Sequence, residues 1–233
     1  MISVSDLHAL HESFATWDEP GLPSSLAADC ARVLGVSDIT ISFLGASDQV
    51  RLCSSSDDAR SVDEWEFTLQ EGPCFDAAVT GNSATGETAP SHTNPWPRLS
   101  AKAHAIGYRA IAGIACQVEG TTFATLNLQD RHGTITPETI ADAEHIASEL
   151  SSLLLDSLGK QPRFLDQPAD HDTFHQATGL VMAQMGIDAG SAVEVLRAHA
   201  WSHDRLLVEV ASEVVARTLT FPPARPSSLQ LDG

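Results

Sequence analysis

The stretch 109-RAIAGIACQVEGTTFATLNLQ-129 decides the fold class, because apolar and threonine residues run on both sides of one turn. Residues 109–118 and 122–129 predict two strands, and Glu119-Gly120 is a typical hairpin turn between them. Gly113 lies inside the first strand, where an isolated glycine indicates a β-bulge.

Working outward, residues 39–44 and 50–53 alternate with period two and predict a second hairpin. Thr136 and Pro137 are typical of a helix N-cap and first helical position. Apolar residues at helical spacing predict three helices, over 3–16, 22–34 and 137–158. The order of helices, antiparallel strands and a closing helix predicts an α+β fold for residues 1–158. The closing helix carries enough apolar surface to cover the sheet and contact a second subunit.

Between residues 54 and 98 the sequence predicts short elements and turns. Residues 54–64 are polar and acidic, and we interpret their charges as a solvated face. Trp65-Glu66-Phe67 alternates and predicts a short strand. Pro73 favours the first turn of a short helix over 74–79, and residues 81–98 carry turn residues.

The C-terminal part is helical in pattern. Residues 159–170 contain two prolines and no periodicity, which predicts a linker. Residues 171–221 carry three apolar stripes at helical spacing, with Asp188 and Asp204 as N-caps of the second and third helices. Such a small three-helix domain buries little surface alone, so we expect it to pack on itself or on a partner. Residues 222–233 predict a flexible tail.

Composition excludes several protein classes. The 233 residues include 13 Lys and Arg against 31 Asp and Glu, a net charge of −18, which argues against general binding to DNA or to membrane surfaces. No run approaches 18 apolar residues, and the N-terminus lacks a secretion signal, so we expect a cytoplasmic protein without membrane contact.

No catalytic or metal-binding motif is evident. The chain has no CxxC, GxGxxG, GxSxG or HExxH sequence, so we expect no enzyme and identify no cofactor. The four cysteines are interpreted as buried apolar residues, with a redox role for Cys74 at a helix N-terminus as the alternative. Histidine pairs such as His199/His203 are interpreted as surface residues, with pH sensing as the alternative, and haem ligation by His92 or His104 is a further one.

Two segments resemble known families. The sequence 69-LQEGPCFDA-77, with Trp96-Pro97 and 107-GYRA-110 after it, is similar to GAF domains, small-ligand sensors with a central antiparallel sheet between helices. Residues 173–221 resemble the ANTAR domain, a three-helix domain that binds RNA hairpins and promotes transcription antitermination. The matching positions include Ala177, Gly179, Leu180, Met182, Gly186, Ala192, Leu196, Arg197, Ala200, Arg205, Leu207, Val210, Ala211, Val214 and Val215.

The resemblance implies two sets of site residues. In the GAF-like region we expect five aromatic residues around a small-molecule pocket, with simple core packing as the alternative: Phe43, Trp65, Phe67, Phe75 and Trp96. In the ANTAR-like region we expect five residues to face RNA: Gln176, Thr178, Arg197, Trp201 and Arg205. Thr178 stands where family members commonly carry lysine. Residues 169–221 contain only three basic residues against seven acidic ones, so shape and stacking must contribute much of the RNA affinity.

Together these features predict a homodimeric, signal-responsive regulator. Its GAF domain would sense a small molecule or a redox signal, and its ANTAR domain would bind a hairpin in a nascent transcript. One alternative is a dimeric sensor or adaptor that does not bind RNA, whose acidic helical module docks a partner protein. A second alternative is an enzyme that uses an unrecognised carboxylate or thiol site.

Overall fold

The chain forms two compact units, residues 1–167 and 168–233, which are described separately. A computed structural model describes these residues: 24–44, 49–133, 135–160 and 170–223. The predicted helix 3–16 lies outside the described residues, as do most of the predicted linker and tail.

The described part of the first unit contains a five-stranded antiparallel sheet in the order β2-β1-β5-β4-β3. The strands are β1 (Asp38–Leu44), β2 (Gln49–Ser54), β3 (Ala84–Glu87), β4 (Ala110–Val118) and β5 (Thr121–Asp130). Both predicted hairpins are confirmed, whereas β3 was not predicted.

Gly113 is not a bulge. The register shift of the β4–β5 hairpin lies between Cys116 and Gln117 instead. A Cβ atom at position 113 would collide with the backbone of Pro73 and Cys74, so this glycine allows a helix to pack directly on the sheet.

Five helices of the first unit are described around this sheet. They are α1 (Ser24–Leu34), α2 (Asp57–Leu69), α3 (Pro73–Thr80), α4 (Pro97–Ile106) and α5 (Pro137–Lys160). The Thr136 hydroxyl accepts a hydrogen bond from the Thr139 N–H at 3.2 Å, which confirms the predicted start of α5. Helix α4 was not predicted, because residues 81–98 were interpreted as turns.

Helix α2 corrects the predicted strand at Trp65-Glu66-Phe67. The Ser56 hydroxyl caps its first turn by accepting from the Ala59 N–H at 3.1 Å. The acidic run is also not simply a solvated face, since Asp63 and Glu66 point inward and are buried.

One face of the sheet is apolar and packs against α1 and α5. Its register places Ile39 and Ile41 of β1 beside Leu128 and Leu126 of β5, and all four are buried. Burying each such side chain stabilises the fold by roughly 1.5–3 kcal/mol. This apolar cluster is the larger core of the unit.

The second unit contains three described helices, α6 (Asp170–Met185), α7 (Ala189–Ser202) and α8 (Leu207–Val215). Asp188 caps α7 by accepting from the Ser191 N–H at 3.0 Å, as predicted. The cap predicted at Asp204 is wrong. Helix α8 begins after Leu206, whose N–H donates to the Glu209 carboxylate at 3.3 Å. No helix among the described residues of either unit is long and apolar enough to cross a membrane.

Candidate functional site

The face of the sheet opposite the apolar core carries a row of polar side chains. We call these residues the polar strip: Thr40, Ser42, Thr125, Asn127 and Gln129. Strand pairing places Thr40 beside Asn127 and Ser42 beside Thr125, and all five residues are buried. The Asn127 amide reaches Glu66 and the Ser42 hydroxyl reaches Asp63, so the strip lies beneath α2.

Several atoms of the polar strip have no hydrogen-bond partner. In the described part of the first unit, these are Asn127 Oδ1 and both amide atoms of Gln129. A buried polar atom left unsatisfied costs about 1–3 kcal/mol. Side chains that accumulate such a cost along one strand are typical of a functional site. The Gln129 amide presents a donor and an acceptor side by side, which suits a small polar ligand with the complementary pair.

Glu66 connects the polar strip to the helices above it. Its Oε1 atom accepts from the N–H groups of Cys74 at 2.6 Å and Phe75 at 3.2 Å, at the start of α3. Its Oε2 atom accepts from Asn127 Nδ2 at 2.7 Å. Burial, followed by the nearby Asp63 carboxylate, raises the pKa of Glu66 to about 8 despite these three donors. The carboxyl group therefore titrates near neutral pH.

Asp63 is a second buried carboxylate beside the polar strip. It accepts from the Ser42 hydroxyl at 3.0 Å and from Gln49 Nε2 at 2.9 Å, and Arg51 lies 3.9 Å away. Burial raises the pKa of Asp63 to about 6, although Arg51 opposes the change. The coupled carboxylates of Asp63 and Glu66 thus determine the charge between α2 and the sheet.

The segment 71-EGPC-74 positions the helices that cover this face. Glu71 accepts from the N–H groups of Arg98 at 2.7 Å and Leu99 at 3.3 Å, so it caps α4 from outside that helix. Glu66 does the same for α3. Both carboxylates lie at helix N-termini, where the helix dipole favours negative charge. The motif 69-LQEGPCFDA-77 therefore has a structural role, since it positions the helices that cover the polar strip.

Cys74 does not have the properties of a redox sensor. The four cysteines are buried and free. Burial, followed by Glu66, raises the pKa of Cys74 well above its usual range, whereas a reactive thiol needs a lowered pKa and solvent access. The interpretation of the cysteines as buried apolar residues is confirmed.

The five aromatic residues do not surround one pocket, so that prediction is wrong. Phe43 packs with Phe123, at 6.3 Å between ring centroids, beside the apolar core on the opposite face of the sheet. Phe75 is 42% exposed on α3, and Phe67 is partly buried on α2.

Trp65 and Trp96 do share one apolar cluster, together with Leu99 and Tyr108. The Trp96 indole N–H donates to the Asp76 carboxylate at 3.0 Å, which fixes its orientation. These two rings pack between helices, and periodicity alone could not distinguish that role from ligand binding.

A separate surface cavity of about 310 Å³ lies at the start of α4 and includes His92 in its wall. Its buried hydroxyls already have partners, because Ser100 bonds Asn94 at 3.1 Å and Thr88 donates to the Tyr108 carbonyl at 2.7 Å. The polar strip therefore has the stronger claim to a ligand.

Two predicted RNA-facing residues are not at the surface. Thr178 is buried, and its hydroxyl donates to the Phe174 carbonyl within α6 at 2.9 Å. The Arg197 side chain is only 12% exposed and lies 3.4 Å from Glu194, and burial lowers its pKa. For these two residues the predicted position was wrong, because their helix phase turns them inward.

The other three predicted residues are accessible. Gln176 is exposed on α6, and Trp201 is 59% exposed near the end of α7. Arg205 lies 2.8 Å from Glu213 and 3.5 Å from Glu209, and its hydrogen bond to Glu213 raises its pKa. RNA contact by Arg205 must therefore compete with these carboxylates.

Comparisons with known proteins agree with this two-part organisation. Residues 166–215 match the ANTAR domain family. The chain is similar in structure to the GAF domain of an Acinetobacter phosphoenolpyruvate-protein phosphotransferase, with a TM-score of 0.51 and 12% identity over 67% of this chain and 94% of that one. The GAF domain of the Coxiella burnetii phosphoenolpyruvate-protein phosphotransferase gives a TM-score of 0.50 and 13% identity over 67% of this chain and 95% of that one. No curated protein matches the sequence. The chain therefore combines a GAF-like fold with an ANTAR domain.

Proposed function

We propose that this protein is a signal-responsive RNA-binding regulator. A small polar molecule binds at the polar strip of the first unit, and the ANTAR domain binds RNA hairpins to promote transcription antitermination. The observation that carries the proposal is the pairing of a GAF-like fold with an ANTAR match in one chain. The unsatisfied atoms of Asn127 and Gln129 support the ligand site.

The proposed mechanism is an allosteric equilibrium rather than catalysis. A ligand that prefers the RNA-competent state shifts the population toward that state, and RNA must then tighten the ligand by the same factor. We propose that the protein is cytoplasmic and dimeric, with α5 contributing the subunit contact through exposed apolar residues such as Leu155.

The ligand site is tested by the substitution Gln129→Leu. A panel of small polar metabolites is first screened by thermal shift on the full chain. We expect Gln129→Leu to stabilise the ligand-free protein, because two unsatisfied atoms are removed, and to abolish the thermal shift of any hit. Gln117→Leu is the matched control, since Gln117 bonds the Gly81 carbonyl and Thr122 at the surface end of β4. Hits that shift Gln129→Leu as strongly as wild type would place the ligand elsewhere.

The RNA site is tested with a pool of synthetic RNAs that carry two stem-loops with randomised loop bases. We expect gel-shift selection to retain specific loops, and Trp201→Ala to weaken the best binder, because stacking on an exposed aromatic stabilises an unpaired base. Absence of any retained sequence up to tens of micromolar protein would contradict RNA binding.

A second function is favoured by the excess of acidic residues in this domain, in which Arg205 is paired with Glu209 and Glu213. In this alternative the helical domain docks a basic partner protein. The two functions predict opposite effects of Glu213→Gln: it would strengthen RNA binding by releasing Arg205, and it would weaken docking of a basic partner.

A further inference from the structure

The ANTAR domain has too few available arginines for ordinary phosphate binding. Of the three arginines in the described part of this unit, Arg197 is largely buried beside Glu194, Arg205 lies between two carboxylates, and Arg217 is exposed. Cations that neutralise phosphates supply a large share of the affinity of many nucleic-acid-binding proteins. A further source of positive charge on this domain would therefore matter for RNA.

Two histidines at the end of α7 form such a source. The rings of His199 and His203 stack with 4.1 Å between centroids and 24° between planes. His203 is exposed, and its Nδ1 lies 2.9 Å from the His199 carbonyl oxygen. With Nδ1 donating to that carbonyl, Nε2 is the ring atom that can face a phosphate. The C-terminus of a helix favours a positive charge at this position.

The surroundings of the pair hold both rings in place. The edge of Phe221 meets the His199 ring with 5.4 Å between centroids, and the Phe221 N–H donates to Gln184 of α6 at 2.8 Å. This side of the pair is uncharged, so it opposes protonation of His199 through desolvation.

Charged groups face the pair from α7, the following turn and α8. Burial, followed by His203 and Arg205, lowers the pKa of His199, whereas Glu213 of α8 opposes the change. Asp204 follows His203 in the turn. The neutral form of His199 is therefore favoured in the free protein, and an anion beside the ring would favour the charged form.

We propose, on the basis of the RNA-binding function above, that His199 and His203 bind RNA phosphate as imidazolium groups. Arg205 lies close to His199, although Glu209 and Glu213 offset its charge. RNA binding is then coupled to proton uptake, and affinity rises as the pH falls.

The sign of the pH effect follows from this linkage. A phosphate next to the pair stabilises the protonated rings and raises their pKa in the complex. Between the free and bound pKa values, each proton taken up changes affinity by about tenfold per pH unit. We expect RNA to bind about tenfold or more tightly at pH 6 than at pH 8.

The experiment uses the full chain and one RNA selected from the stem-loop pool, titrated at pH 6, 7 and 8 at constant ionic strength. We expect the double substitution His199→Gln, His203→Gln to remove the pH dependence. His145→Gln, an exposed histidine of α5, is the control that keeps it. NMR titration of the imidazole C–H resonances reports the pKa of each ring with and without RNA.

Three outcomes are distinguishable. Binding that tightens at low pH in wild type, with RNA-dependent pKa increases lost in the variant, supports the proposal. RNA binding with equal pH dependence in wild type and in the double variant overturns the histidine assignment but leaves the proposed function intact. Absence of RNA binding at every pH overturns the proposed function itself. If the double variant fails to fold by circular dichroism, the exposed single substitution His203→Gln replaces it.

Discussion

The most informative perturbation is Glu66→Gln, which keeps the shape of the side chain and removes its titration. Glu66 is 2% exposed and receives three hydrogen bonds, from Cys74, Phe75 and Asn127. Glutamine retains an oxygen for the two backbone N–H groups. The amino group of the new glutamine faces Asn127. When the Asn127 amide flips, its Oδ1 atom, which has no partner in wild type, accepts a hydrogen bond from this amino group.

The magnitude follows from the pKa of Glu66, which rises from 4.5 in the unfolded chain to about 8 in the fold. Between pH 4.5 and about 8, Glu66 therefore keeps its proton in the folded state and loses it in the unfolded state. The stability linked to this proton is fully present below pH 4.5 and is lost as the pH rises through 8. At about 1.4 kcal/mol for each pH unit, wild type should lose roughly 4 kcal/mol relative to Glu66→Gln between pH 5 and 8.5.

The assay is urea unfolding of both proteins between pH 5 and 8.5, followed by tryptophan fluorescence and circular dichroism. Groups that do not interact with Glu66 titrate alike in both proteins, so the difference between the two free energies of unfolding reports Glu66 and the coupled Asp63. Asp63→Asn is the control, because the pKa of Asp63 rises only to about 6. Because the Asp63 charge helps to raise the pKa of Glu66, Asp63→Asn should reduce the loss of stability at high pH, whereas Glu66→Gln should remove it. Parallel stability curves for wild type and Glu66→Gln would refute the argument.

Three further predictions concern packing, surface access and thiol reactivity. Gly113→Ala should destabilise the first unit by about 2 kcal/mol or more in urea unfolding, because its Cβ atom would meet the backbone of α3. Gly179→Ala on α6 faces open space and should stabilise the protein by about 0.5–1 kcal/mol in the same assay. Trp201→Ala should weaken hairpin affinity by about 1–3 kcal/mol for each base stacked on it, whereas the buried Thr178→Ser should leave affinity unchanged. Cys74 should react with a disulfide reagent only on unfolding, because burial raises its pKa.

Each of these predictions has a result that would contradict it. Equal stability of the two glycine variants would show that α3 can move away from the sheet. Weaker RNA binding by Thr178→Ser would mean that α6 presents a different face to RNA. Rapid labelling of Cys74 in the native protein would show that the segment opens readily.

Residues with a strong local signal were predicted correctly from the sequence. The hairpin at 109–129 has period-two patterning on both sides of its turn, and α5 has its Thr136 cap and Pro137, so neither depends on distant contacts. The segment 57–69 failed because Trp65-Glu66-Phe67 alternates in polarity while its helix face is defined by every third or fourth residue. The cap at Ser56, followed by two aspartates, was the signal that could have identified this helix.

The polar strip was missed for a different reason. Its residues alternate with apolar ones on β5, which is the pattern of a strand with one solvated face. Only the position of α2 and α3 shows that this face is buried, and that position depends on Gly113 and on the Glu66 contacts with α3. A sequence pattern records the polarity of a face and not what covers it. Buried carboxylates look solvated in a sequence for the same reason. The Glu66→Gln stability curve is therefore a direct test of whether α2 and α3 stay closed over this face in solution.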